Sequence, residues 1–262
     1  MLTVTSTQLS AWLSLFIFPF ARILALIASA PVLGHKDVPA RVKIGLAMLL
    51  TIVIAPTITI QPGIEPGSAM GLFILVEQVL AGIALGFTMR LIFAAVEMAG
   101  ELAGMQMGLG FATFYDPQNA AHTPIVAQFM SLFTSLILLE LDGHLQLLTA
   151  LSGTFHTFPV ASALPAGIAW RTLAELGGNI FSYALQMSMP LIAALLLANL
   201  ALGILTRAAP QLNLFAVGFP ITLAVGFATL ALAFPYFAPL LERFIEHGLA
   251  SAGQVVQQLG TQ

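Results

Sequence analysis

The chain has 262 residues, of which 59% are hydrophobic and only 7% are charged, and its formal net charge is −3. Soluble domains carry about 25% charged residues, so this composition excludes a soluble globular fold, a coiled coil and a disordered chain. The acidic balance offers no basic field for nucleic acid, and the absence of cysteine excludes disulfides and thiolate sites. The remaining class is a polytopic membrane protein, for which we predict an all-α fold.

Six apolar segments follow one another along the chain and predict helices of about membrane-spanning length. Short stretches rich in Pro and Gly, which end helices, separate several of them. After Leu241 the chain becomes more polar, which leaves open a short amphipathic helix or disorder. The segments cover residues 9–33, 41–60, 70–98, 125–151, 180–206 and 212–240.

Five charged side chains lie in or beside these apolar segments: Arg22 in the first, and Glu77, Arg90, Glu97 and Glu101 in or after the third. A charge at the centre of a lipid-facing helix costs roughly 2.5–3.5 kcal/mol, so we expect these helices to face protein or water. Helical periodicity places Arg90, Glu97 and Glu101 on one face. They are open to two interpretations, an internal salt bridge or a water-accessible face along a conduit. The sequence does not distinguish a proton relay through these three side chains from their structural pairing.

Glycines recur at four-residue spacing in the third segment, first as Gly82 and Gly86 and then as Gly100, Gly104 and Gly108. Small residues at this spacing let another backbone approach closely. We therefore expect a neighbouring helix to pack tightly against each group.

The stretch that follows combines glycine with aromatic side chains. Non-helical backbone at membrane depth survives only when it is buried in protein or lines a cavity. Two interpretations stay open, an interfacial loop with aromatic anchors and an aromatic plug that fills a pore until cargo displaces it. The residues concerned are Gly108, Gly110, Phe111, Phe114, Tyr115, Asp116 and Pro117.

No catalytic or cofactor-binding motif is found in the sequence. The nucleotide pattern G-x-x-x-x-G-K-[ST] and the H-E-x-x-H and G-x-S-x-G motifs are absent, and the five histidines include no i, i+4 pair. We predict a protein without enzymatic activity or cofactor, whose energy comes from partners or the proton gradient. A membrane-embedded enzyme and a small-solute secondary transporter are the alternatives; inverted repeats, typical of many transporters, are not seen.

The segment 207–220 carries an R-x-x-P-Q-x-N-x-F pattern formed by Arg207, Pro210, Gln211, Asn213 and Phe215. It resembles the signature of the FliR family, flagellar biosynthetic proteins of the type III export gate, and of their injectisome relatives, the SctT family. Residues 20–31, 38–43 and 108–124 are also similar to FliR, so the resemblance spans nearly the whole chain. Residues 216–220, AVGFP, are more typical of the flagellar branch, and an injectisome subunit is the alternative.

The resemblance implies an architecture of a FliP-like helical part over residues 1–179 and a FliQ-like hairpin over residues 180–242, leaving a polar tail over residues 243–262. It implies a hetero-oligomeric pore complex with FliP-like and FliQ-like subunits, association with FlhB-like and FlhA-like components, and passage of unfolded flagellar proteins. The implied location is the bacterial inner membrane within the flagellar basal body, with a projection to the periplasmic side. The family's plug maps onto residues 107–119, with Phe111 and Phe114 as the obstructing side chains.

Overall fold

The computed structural model describes residues 6–58, 65–110, 124–160, 167–211 and 214–260, without the side chains of residues 6–7, 167–170, 214–215, 256–257 and 259–260. The described residues form helices and connecting turns, and no strand occurs among them. The predicted all-α class is thereby confirmed. In chain order the helices are α1 (Ser6–Ser29), α2 (Ala40–Ile54), α3 (Ala69–Gln106), α4 (Ile125–Glu140), α5 (Gly143–Thr157), α6 (Gly167–Ala208) and α7 (Leu214–Gly260), with a 3-10 turn at Ala55–Thr57.

Five of the described helices are long and apolar enough to cross a membrane, namely α1, α2 with its 3-10 turn, α3, α6 and α7. A sixth crossing exists if α4 and α5 together count as one broken span. The sequence predicts six apolar segments, and the structure reaches that number only when the bent pair is counted as one span.

The prediction of one continuous helix over residues 125–151 is wrong, because the chain breaks between α4 and α5. Asp142 adopts the left-handed conformation, with φ at 53°, which an Asp side chain tolerates better than most. Its carbonyl oxygen then accepts hydrogen bonds from the backbone N–H groups of Leu145 and Gln146, which begin α5. Gly143 follows at once, so the local turn chemistry overrides the apolar run around it.

The last two helices are longer than the sequence suggested. Helix α6 has 42 residues and α7 has 47, whereas about 20 residues cross a hydrocarbon core. Helix α7 continues past Leu241 to Gly260, so the described part of the polar C-terminal stretch extends this helix. Membrane helices tolerate interior prolines, and α7 contains three of them, Pro220, Pro235 and Pro239.

The chain divides into two compact units, which are described separately. Unit 1 comprises Met1–Leu91, Asp142–Gly177 and Ile245–Gln262, and unit 2 comprises Ile92–Leu141 and Gly178–Phe244. Both units take their residues from distant parts of the sequence.

The core of unit 1 brings together residues from α3, from α6, from the C-terminal part of α7 and from the turn after α5. It is formed by Ala81, Ala84, Phe158, Leu173 and Val255. In the same unit α1 packs against α2. Small side chains on α3 face larger ones from the other segments, which permits close packing.

The core of unit 2 is rich in aromatic side chains. The ring of Phe234 on α7 lies 4.1 Å from that of Phe133 and 6.0 Å from that of Phe129, both on α4, measured between centroids. Tyr183 of α6 stacks on Phe244 of α7 at 4.0 Å. These contacts join three helices of the unit through favourable ring arrangements.

The close packing predicted at the glycines of α3 is confirmed in unit 1. A Cβ atom on Gly82 would overlap the carbonyl oxygen of Arg22, and one on Gly86 would overlap the hydroxyl of Ser29. Both contacts lie on α1, so the two glycines allow the backbones of α1 and α3 to approach closely.

In unit 2 the same role falls to Gly100, where a Cβ would lie only 2.7 Å from the backbone nitrogen of Ala127 on α4. Gly104 is less tightly packed, since its nearest neighbour, Val126 Cγ2, would be 3.8 Å away. The four-residue spacing therefore identifies the face of α3 that meets α4, with its closest approach at Gly100.

Candidate functional site

Arg22 of α1 is completely buried in unit 1, with 0% of its surface exposed. Its Nε and one Nη donate to the side-chain oxygen of Gln78, at 2.8 and 2.5 Å. The other Nη donates to Thr154 Oγ1 and the first also donates to the carbonyl oxygen of Phe158, both at 2.9 Å. The planar fork of a guanidinium suits such multiple bonding, and here it joins α1, α3 and the C-terminal end of α5.

Two aromatic rings and a helix end complete the surroundings of this cation. The guanidinium carbon lies 4.3 Å from the ring centroid of Phe155 and 5.3 Å from that of Phe158, distances typical of cation–π attraction. Phe158 is also the C-terminal cap of α5, where unpaired carbonyl groups give the helix a partial negative charge. The two aromatic faces and the carbonyl end of α5 thus stabilise the positive charge of Arg22, although none of them carries a formal charge.

Glu77 is also buried, with 3% of its surface exposed. It lies close enough to Arg22 for the two groups to interact electrostatically, but the ion pairs found among the described residues do not include these two. Neither carboxylate oxygen has a hydrogen-bond partner in the described part of the chain, and the amide nitrogen of Gln78 also lacks one. Arg22 and Glu77 therefore occupy one buried region without forming a direct salt bridge.

The other three predicted charges have a different environment. Arg90, Glu97 and Glu101 are exposed on α3, and within the described ranges none of them takes part in an ion pair. Ser131 of α4 donates a hydrogen bond of 3.3 Å to Glu97. The internal salt bridge considered for these residues is therefore not formed in the described part of the chain.

The end of α3 forms a glycine cap immediately before the aromatic stretch. Gly108 has a φ of 84°; its N–H bonds to the Met105 carbonyl, and the Leu109 N–H bonds to the Gly104 carbonyl, both at 3.0 Å. This pair of bonds around a left-handed glycine is the Schellman motif, which ends a helix. Placing Gly108 in the helical glycine ladder is therefore wrong, because α3 ends at Gln106.

Met107, within this cap, is anchored to α7. Its side chain is fully buried and fills the space at Gly226, where a Cβ would lie 2.5 Å from Met107 Cγ. Thr222, one turn earlier on α7, donates a hydrogen bond of 3.3 Å to the Met107 carbonyl oxygen. Both contacts lie in unit 2, so the chain leaves α3 from a fixed position.

The predicted plug residues fall only partly within the described structure. Gly108 and Gly110 lie in the turn after α3. The other five, Phe111, Phe114, Tyr115, Asp116 and Pro117, lie outside the described residues.

The turn predicted between the last two segments falls between the described ends of two helices. Helix α6 ends at Ala208 and α7 begins at Leu214. Arg207, Pro210 and Gln211 are exposed around this turn, whereas Asn213 and the side chain of Phe215 lie outside the described part.

Sequence reasoning located Arg22 and Glu77 but missed the groups around them, Gln78, Thr154, Phe155 and Phe158. It also missed Thr222 and Gly226, which hold Met107. One available signal was Gln78 itself, a polar residue next to Glu77 inside an apolar segment. Groups of three or more His, Asp or Glu side chains able to hold a metal ion are not found in the part of the chain that the structure describes.

Comparisons with known proteins give consistent matches over most or all of the chain. The family described as bacterial export proteins, family 1, matches residues 13–248. The flagellar biosynthetic protein FliR of Escherichia coli (strain K12) is 44% identical over 259 residues, covering 99% of each chain. FliR of Pectobacterium carotovorum subsp. carotovorum is 42% identical with complete coverage of both. FliR of Bacillus subtilis (strain 168) is 35% identical, covering 82% of this chain and 84% of its own.

Proposed function

Since the chain belongs to the FliR family of bacterial export proteins, we propose that it is a non-enzymatic subunit of the flagellar type III protein export gate. In this role it forms, with FliP-like and FliQ-like subunits, the channel through which unfolded flagellar proteins leave the cytoplasm. FlhB-like and FlhA-like components associate with the channel. The subunit acts in the bacterial inner membrane at the flagellar basal body, and part of the complex projects to the periplasmic side.

The observation that carries this proposal is the exposure of Arg90, Glu97 and Glu101 on a helix apolar enough to span a membrane. A charge facing lipid at the centre of a bilayer is costly, and these three are not neutralised by ion pairs among the described residues. A partner subunit or an aqueous lumen removes that cost. The charges therefore support a role within a larger assembly.

The two long C-terminal helices support the same conclusion. Only 17% of the most apolar stretch of α6 and 22% of that of α7 is buried within the chain. Exposed apolar side chains along α6 include Phe181, Leu197 and Leu200. Such continuous apolar surfaces are typical of sites that lipid or another protein covers, and a helical assembly of similar hairpins supplies both.

We propose further that the aromatic stretch after α3 plugs the closed pore, with Phe111 and Phe114 as the obstructing side chains. The support is its position directly after the Schellman cap at Gly108, at a point that Thr222 fixes to α7. A plug must prevent leakage through the closed pore, and it must be displaced when cargo passes. A segment tethered at a rigid helix end meets both requirements, because displacing it leaves the helix packing intact.

The relatives reported above are named as flagellar proteins, which favours the flagellar branch over the injectisome. Unfolded protein is then the cargo, rather than a small solute. The energy for export comes from partner components or the proton gradient.

Affinity purification of the full chain from its native membranes tests the assembly. We expect FliP-like and FliQ-like subunits to copurify in a fixed ratio, and imaging of the complex to show a central channel. Recovery of the chain alone, with uptake of a small solute after reconstitution into liposomes, would contradict the proposal.

Membrane leakage tests the plug. When no export substrate is present, the double variant Phe111→Ala/Phe114→Ala should raise the permeability of cells to small ions. The matched control is Phe73→Ala/Phe87→Ala, which removes two partly exposed rings from α3 and should leave permeability unchanged. If both variants assemble and neither leaks, these phenylalanines do not seal the pore.

A further inference from the structure

Glu77 has an environment that suits a neutral carboxyl group. It is almost completely buried in unit 1, and neither of its oxygens finds a hydrogen-bond partner in the described part of the chain. It lies on α3, a helix apolar enough to span a membrane, where no bulk water replaces missing partners. An ionised carboxylate is costly in such a place unless it is paired and hydrogen-bonded.

Arg22 is the charged group that acts on Glu77, but its hydrogen bonds are directed elsewhere. They go to the amide oxygen of Gln78, the hydroxyl of Thr154 and the carbonyl of Phe158, all of which are neutral. An ionised carboxylate beside a guanidinium favours a short, charge-assisted pair, often with two parallel bonds. Its absence among the described ion pairs fits a carboxyl without charge.

Arg22 does not need Glu77 as a counter-ion. The faces of Phe155 and Phe158 lie over the guanidinium, and the C-terminal end of α5 contributes a carbonyl group with partial negative charge. These groups stabilise the buried cation by themselves. Arg22 therefore carries a buried charge, and Glu77 is a buried carboxyl that lacks a hydrogen-bond partner among the described residues.

We propose that Glu77 is a proton-binding site, holding its carboxyl group in the protonated form within the apolar part of α3. Binding the proton forms an O–H bond from an electron pair of the carboxylate, so that the buried group becomes neutral. The inference rests on the surroundings of Glu77 and is independent of the export role proposed above. A protein that contains such a group in its membrane region has a built-in site for taking up one proton.

Infrared spectroscopy of the full chain in lipid vesicles at neutral pH tests the proposal. Protonated and ionised carboxyl groups absorb in separate regions, and the protonated band shifts in D2O. The difference between wild type and Glu77→Gln should show the loss of one protonated band. The control Glu65→Gln removes an exposed carboxyl in the loop before α3 and should show only the loss of ionised carboxylate bands. Loss of ionised bands in Glu77→Gln would overturn the proposal.

Stability gives a second, independent readout. Glutamine is close in shape to a protonated glutamic acid, so Glu77→Gln should unfold at nearly the wild-type temperature. A large fall in that temperature, or failure to fold, would show that Arg22 needs the negative charge of Glu77 and would overturn the proposal. The wild type alone also tests the proposal. Labelling the glutamate carboxyls with carbon-13 must shift an infrared band of a protonated carboxyl, and a wild-type spectrum without a shifting band would refute the proposal.

Discussion

Thr222 of α7 donates a hydrogen bond to the main-chain carbonyl of Met107, a residue 115 positions earlier in the sequence. The bond attaches the end of α3 to α7 directly before the left-handed Gly108. Gly226, one turn further along α7, leaves room for the Met107 side chain. The position from which the chain leaves α3 is therefore set by two small residues of the C-terminal helix.

Replacing Gly226 with Ala should disturb this anchor. The new methyl group would lie 2.5 Å from Cγ, 2.8 Å from Cε and 2.9 Å from Sδ of Met107, too close for van der Waals contact. Overpacking of a buried site typically costs about 1–3 kcal/mol. We expect Gly226→Ala to lower the unfolding temperature of the chain in detergent, measured by circular dichroism.

The matched control is Gly203→Ala on α6. A Cβ atom at Gly203 meets nothing within 4 Å, and alanine is favoured over glycine inside a helix by about 0.5–1 kcal/mol. Gly203→Ala should therefore leave stability unchanged or raise it. If both variants shift the unfolding temperature in the same direction, the contact between Gly226 and Met107 does not decide stability.

Arg22→Lys tests whether the geometry of the guanidinium matters beyond its charge. A lysine cannot reproduce the fork that bonds Gln78, Thr154 and Phe158 together. Hydrogen bonds to a charged group contribute about 1.5–3 kcal/mol each, so losing two of them should cost roughly 3 kcal/mol or more. We expect a large fall in the unfolding temperature, with the helix content of the folded state retained.

Arg171→Lys provides the control for this prediction. Arg171 pairs with Glu175 one turn along α6, and both side chains are mostly exposed. Exposed pairs of this kind contribute about 0.3–0.5 kcal/mol. A similar loss of stability in the two variants would show that the bonds of the buried Arg22 have no special weight.

The sequence was most informative where composition alone dictates the structure. Long apolar runs predict the spanning helices, since in lipid every backbone group must be bonded within its own helix. The same runs did not predict the break between α4 and α5, because a continuous apolar stretch is equally compatible with one helix and with two. The local sequence Leu141, Asp142 and Gly143 indicates a turn, but the hydropathy of the surrounding residues favoured a continuous helix.

The candidate site divides in the same way. Hydropathy identified Arg22 and Glu77 as charged residues within apolar segments. The hydrogen-bond partners of Arg22, however, lie 56 to 136 positions away in the sequence. Such partners are selected by tertiary packing, which periodicity does not encode. The glycine ladder was more telling, because small residues at fixed spacing show directly where another backbone approaches.

Gly82→Ala should therefore separate α1 from α3. The added methyl group would overlap the carbonyl oxygen of Arg22 and lie 2.8 Å from Ala25 Cβ, and backbone cannot move aside as a flexible side chain does. We expect a loss of about 1–3 kcal/mol in the free energy of unfolding, measured by denaturant titration. Gly45→Ala on α2, where a Cβ meets nothing within 4 Å, is the control and should not destabilise the protein.

Neutralising the exposed charges of α3 should affect assembly and leave folding intact. Because Arg90, Glu97 and Glu101 are exposed, replacing all three with Gln should change the stability of the isolated chain by no more than about 0.5 kcal/mol per site. In membranes, the same variant should recover less of the FliP-like and FliQ-like subunits on affinity purification. Motility should fall in parallel.

The control carries the same three changes of charge at exposed positions outside the centre of the spans, Glu65→Gln, Arg171→Gln and Glu175→Gln. It should copurify with its partners as the wild type does, since Glu65 lies in a loop and Arg171 and Glu175 lie at the start of a span. If the variant at Arg90, Glu97 and Glu101 also assembles and exports normally, its charges are dispensable for both. A selective loss of assembly would instead place that face of α3 against a partner subunit, because only desolvation on assembly makes these charges matter.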